Sequence, residues 1–178
     1  MNAHRILFAM AAVVLASSNL WADSWVTPTP RVFGSTWGNR GFKVLRPTLI
    51  GPSDGVLFCL DADGKEQIVW EAKLVNTPHR VLVDDSGRFV ASIDTYANLG
   101  FAHSLVIYGD KGKVIRDFKL EDLLTQDEIS KNVARTETSR HWAKKCAFQL
   151  ESDHLVLRLS WGKVIRIELL TGKIAETK

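Results

Sequence analysis

The sequence predicts an all-β chain of antiparallel hairpins, on three observations. Short apolar or alternating runs recur along most of its length, turn phrases containing glycine separate them, and only Leu120 to Ala134 carries helix signals. Sandwiches, barrels and propeller blades all use this hairpin pattern, so periodicity alone names the class and not the architecture.

The first residues have a different character. His4 and Arg5 precede an apolar run from Ile6 to Ala16, and small and polar residues follow up to Ala22. That is the tripartite order of a secretory signal, with cleavage expected after Ala22. The run is shorter than the roughly 20 residues that cross a bilayer, and no later stretch is long enough, so no membrane span is expected after cleavage. Of 178 residues, 156 then remain as a single β-rich domain over 23–178. Loss of Arg5 leaves 22 Lys plus Arg against 20 Asp plus Glu, nearly neutral and interspersed, with Lys144 and Lys145 the densest basic pair. Nucleic-acid binders concentrate basic charge on one face, so nucleic acid is not an expected partner. The expected location is the periplasm or the extracellular space.

Arg31 to Arg46 is punctuated by Gly34, Gly38 and Gly41 and reads as short strands with tight bends. The next hairpin joins Val56–Asp61 to Gln67–Leu74 through Asp63-Gly64, and alternation places Ile68, Trp70, Ala72 and Leu74 on its buried face. Arg80–Val83 and Arg88–Asp94 form another, turned by Asp84-Asp85-Ser86-Gly87, with Phe89, Ala91 and Ile93 facing in. A third joins Leu105–Tyr108 to Val114–Phe118 through Gly109-Asp110-Lys111-Gly112. Its first strand has no polar position, which predicts partial cover on both faces.

Glu121 to Leu124 suits one helical turn, and Thr125-Gln126-Asp127-Glu128 is a capping box that starts a second short helix at Gln126. After a polar loop over 135–140, a strand is expected near Trp142 to Leu150. A last hairpin joins Leu155–Trp161 to Lys163–Leu169 and ends in the turn Thr171-Gly172-Lys173.

The stretch Val81-Leu82-Val83-Asp84-Asp85-Ser86-Gly87-Arg88-Phe89-Val90-Ala91-Ser92 resembles the WD40-like repeats of bacterial exported β-propellers, and Leu105 to Lys113 resembles the next hairpin of such a blade. The resemblance covers mainly residues 79–125. Asp94, the loop Thr95–His103, the strand Leu105–Tyr108 and the phrase Leu120–Leu124 also resemble, in that order, a pattern in uncharacterised bacterial exported proteins. The resemblance implies a small or partial β-propeller-like domain, with a β-sandwich as the alternative. At roughly 40–45 residues per blade, the chain would hold three or four blades.

Two loops are candidate binding surfaces. Asp94, Tyr96, Asn98 and His103 lie in a connection long for a hairpin, where binding groups often sit. The competing role for Asp94 is to accept backbone N–H bonds that shape the turn. Arg140, His141 and Trp142 combine a cation, a titratable imidazole and an indole. Their competing role is a loop anchor, with Trp142 buried and Arg140 paired to a carboxylate.

Four histidines, His79, His103, His141 and His154, lack zinc spacing, and Asp61-Ala62-Asp63-Gly64 lacks the further ligands of a calcium loop. No cofactor or metal is implied. Cys59 and Cys146, in an oxidising compartment, either form a bridge closing a loop of about 90 residues or remain two buried thiols. The functional expectation is an exported interaction module that meets a protein, peptide or glycan partner through these loops. The alternatives are a hydrolase assembled from Asp94, His103 and His141, and a structural subunit that pairs through sheet edges.

Overall fold

The structure, a computed structural model, describes residues 25–177; the expected signal segment and its cleavage point lie outside them. The chain is all-β. Strands β1 (Arg31–Gly34), β2 (Arg40–Leu45), β3 (Asp54–Leu60) and β4 (Glu66–Lys73) form the first antiparallel sheet, in chain order. The second, also in chain order, contains β5 (Pro78–Val83), β6 (Val90–Thr95), β7 (Leu105–Tyr108) and β8 (Val114–Phe118). Helices α1 (Leu120–Leu123) and α2 (Gln126–Asn132) follow, and β9 (Ala134–Arg135) and β10 (Arg140–His141) make a two-stranded ribbon. The last sheet is again a meander, of β11 (Ala147–Glu151), β12 (His154–Arg158), β13 (Val164–Glu168) and β14 (Ile174–Thr177). None of these sheets closes into a barrel.

The second sheet lies between the other two large ones. Val81, Val83, Val90, Val106 and Tyr108 pack on Phe42, Val44, Leu57, Trp70 and Leu74, from the first sheet and the residue just after it. Ala91, Ile93, Leu105, Ile107 and Phe118 point the other way, onto Leu155, Leu157, Ile165 and Ile167. Period-two alternation therefore serves two cores, and β6 and β7 are buried at every position. Three meanders stacked face to face are compatible with both a partial propeller and a sandwich. Tyr108 fastens this arrangement: its hydroxyl accepts a bond from the Val75 N–H at 3.2 Å, and burial pushes its pKa up to about 12.

One expected core residue points outward. Ile68 is 62% exposed, because a bulge pairs Leu57 with Trp70 but Phe58 with Ile68, and the extra residue reverses the alternation between them. The strand expected from Trp142 begins only at Ala147, since 142–145 turns instead, and β14 extends the last sheet beyond the Thr171-Gly172-Lys173 turn.

The capping box forms as expected. The Thr125 hydroxyl accepts from the Glu128 N–H at 3.3 Å, and the Glu128 carboxylate accepts from the Thr125 N–H at 2.8 Å. Lys163 also meets the Glu128 carboxylate at 2.7 Å, which ties α2 to the β12–β13 turn and holds that carboxyl below its usual range. Thr125→Ala should lower stability by about 1 kcal/mol, read as a lower urea midpoint with an unchanged slope.

The cysteines do not bridge. Cys59 lies on β3 in the first sheet, whereas Cys146 is buried in the core between the second and third. The middle sheet stands between those positions, and Cys146 donates its thiol hydrogen to the Trp142 carbonyl at 3.2 Å. Both are free thiols, and only Cys146 is buried.

Candidate functional site

Strand β5, the first of the middle sheet, has β1 and β11 as neighbours. Arg31, at the start of β1, donates to the carbonyls of Pro78 and His79 at the start of β5. Arg80 lies with its guanidinium carbon 4.3 Å from the ring centre of Phe148 on β11. Beside this junction is a cavity of about 270 Å³ lined by His79, Arg80, Asp94, Leu99, His141, Ala143, Lys144 and Lys145. Five basic side chains and one carboxyl thus share one concavity.

Asp94 is set into its wall. It is the penultimate residue of β6, 2% exposed, with φ +57°, a conformation that aspartate tolerates better than most residues. Its Oδ1 accepts from the Trp142 indole N–H at 2.8 Å and the Gly100 N–H at 2.9 Å. Gly100 itself has φ +68°, and a Cβ there would lie 2.5 Å from the Arg140 carbonyl oxygen, so only glycine lets the loop close on that segment. Burial pushes the Asp94 pKa up to about 7, against the two hydrogen bonds and the Arg80 charge that oppose the rise.

The two basic side chains from β5 are shifted in the opposite direction. Burial lowers the pKa of His79, and the charges of Arg31, Arg80 and His141 lower it further. Burial also lowers that of Arg80. The His79 Nδ1 and Arg80 Nη2 atoms are buried without a hydrogen-bond partner. Such groups are uncommon in folded proteins, and each costs about 1–3 kcal/mol unless a water or ligand satisfies it.

The candidates named from sequence divide among several places. Asp94, His141 and Trp142 meet at the cavity or its wall, and Trp142 is fully buried as a loop anchor. Arg140 leaves the cavity to pair with Glu121, and its guanidinium stacks on Phe101 at 4.4 Å. His103 is elsewhere too: its Nδ1 lies 2.7 Å from an Asp117 oxygen, so it is paired with that residue rather than with Asp94. Tyr96 stands among Trp25, His79 and Arg31, with ring centres 5.9 Å and 6.4 Å away for the first two. Asn98 takes a left-handed turn conformation, φ +62°, within the loop.

Sequence reasoning does not single out Arg80 and His79 as members of this group, and it reads Lys144 and Lys145 only as a dense basic pair. The available signal is positional: cations stand at or near the starts of β1, β5 and β11. Among the described residues, no group of three or more His, Cys, Asp or Glu side chains converges to hold a metal ion, and no helix is long and apolar enough to cross a membrane. In comparisons with known proteins, no family model and no curated protein matches the chain.

Proposed function

We propose that this chain is an exported binding module that receives an anionic group of a protein, peptide or glycan partner in the cavity beside β5. The observation that carries this reading is the pair of unsatisfied buried nitrogens, His79 Nδ1 and Arg80 Nη2, in a wall shared with Lys144 and Lys145. An oxyanion supplies acceptors for the arginine donor and charge for the lysines, and it binds most strongly where water is partly excluded. The export component rests on the residues up to Ala22, and the WD40-like resemblance of residues 79–125 belongs to the same proposal.

Lys144 and Lys145 are exposed, so reversing their charge tests binding with little effect on folding. The Lys144→Glu/Lys145→Glu chain should bind succinate or sulfate at least about tenfold more weakly by calorimetry, and about 0.5 M NaCl should weaken the unaltered protein's binding as well. Equal affinity in the two proteins, or no binding to either anion, defeats the proposal. A hydrolytic reading retains only Asp94 and His141 in the cavity, because His103 is paired with Asp117.

A further inference from the structure

We propose that an oxyanion enters this cavity together with a proton, which Asp94 takes on its Oδ2 and shares with the ligand as a hydrogen bond. The inference rests on the anion-binding reading and adds the residue that sets which protonation state of the site is competent. Geometry supplies the first argument. Both bonds to Asp94, from Trp142 and from Gly100, go to Oδ1, so Oδ2 takes neither while the residue lines the cavity.

Charge supplies the second. An ionised carboxylate beside an incoming oxyanion places two negative charges together in a poorly hydrated wall, which disfavours binding. With a proton on Oδ2 the same side chain becomes a donor, and an O–H to oxyanion bond is among the stronger hydrogen bonds. The proton comes from solvent, and no covalent bond between heavy atoms changes. The groups facing Asp94 are His79 and Arg80 from β5, His141 from β10, Trp142, and Lys144 and Lys145 from the following turn, and none of these is a second acid.

The poise of Asp94 makes the coupling measurable. Its folded pKa of about 7 leaves it half protonated near neutrality, so the ligand has only a small equilibrium to shift. His79 and His141 line the same cavity, so the carboxyl is separated from them by substitution. Asp94→Asn serves, because its amide donates to the ligand without titrating while its carbonyl oxygen keeps the bonds from Trp142 and Gly100.

The experiment is calorimetric titration of the full chain with succinate and, separately, with sulfate, at about pH 7.5–8.5 in buffers of different ionisation enthalpy. About 0.8–1 proton should be taken up per anion near pH 8, and affinity should fall nearly tenfold per pH unit across that window. In Asp94→Asn, uptake and pH slope should both vanish. Uptake with only one of the two anions supports the proposal and identifies a planar or a tetrahedral head group as the ligand. Binding of either anion without proton uptake overturns it while leaving the binding module in place. If neither binds, the reading on which it rests falls first. Uptake that persists in Asp94→Asn also overturns it, by assigning the proton to another group.

Discussion

Asp94→Ala is expected to lower stability by about 3–5 kcal/mol at pH 5, because two buried donors, the Trp142 indole and the Gly100 N–H, lose their acceptor together. The loss extends beyond the bonds themselves. Trp142 belongs to the core between the second and third sheets, and its ring meets Phe148 edge-on at 5.7 Å, so releasing the indole loosens that core as well. Asp94→Asn separates the hydrogen bonds from the charge, since its carbonyl oxygen can still accept both. The sign of the pH dependence follows from linkage. Asp94 has a folded pKa of about 7 against an ordinary value of 3.8, so the folded state holds the extra proton between those values. Its contribution to stability is greatest below about pH 4, declines as pH rises towards 7 and is level above it, with a total change of up to about 4 kcal/mol. Other carboxyls, such as Asp54 and Glu121, have lowered pKa values and act in the opposite sense. The test is therefore the difference between Asp94→Asn and the unaltered protein in urea unfolding from about pH 4 to pH 8. It should move steadily in favour of the asparagine variant, and a flat difference would show that Asp94 is ionised throughout.

Gly112→Ala should cost about 3 kcal/mol, and it reports on a different contact, that between the first and second sheets. Gly112 closes the turn before β8 with φ +71°, where an L residue is disfavoured by roughly 1–2 kcal/mol. Its Cβ would also lie 2.3 Å from the Ala72 Cβ and 3.0 Å from the Trp70 ring, and overpacking of that kind adds about 1–3 kcal/mol. The thermal midpoint should fall by about 6–12 °C. Adding Ala72→Gly removes the nearest obstructing atom, so the double variant should recover part of the loss that Gly112→Ala produces. If the two changes are simply additive, the turn does not rest on β4 in the way the structure shows.

Most of the scaffold is readable because its determinants are local. The alternation in the Leu155–Leu169 region, the turns at Asp63-Gly64 and Gly109–Gly112, and the Thr125–Glu128 capping box each depend on neighbours within a few residues, and each forms. Ile68 escapes the alternation because a bulge changes the phase of a strand without leaving a mark in the hydrophobic pattern. The site is harder to read, because tertiary packing assembles it. Asp94 is identifiable from the length of its loop, yet its partner Trp142 is 48 positions away, and His103, closer in sequence, turns to Asp117. Arg80 reads as an ordinary strand terminus until β11 brings Phe148 beneath it. The state of Cys59 and Cys146 likewise depends on which sheets they join.

The middle meander has its own consequence for how the protein comes apart. Its two central strands, β6 and β7, are wetted on neither side and cannot be peeled from one neighbour without exposing oil to water, and each of the two cores has one wall in this meander. Damage to Val106 and damage to Ile107, adjacent residues on opposite sides of β7, would weaken different seams of one laminate, and the whole thickness would give way as a unit.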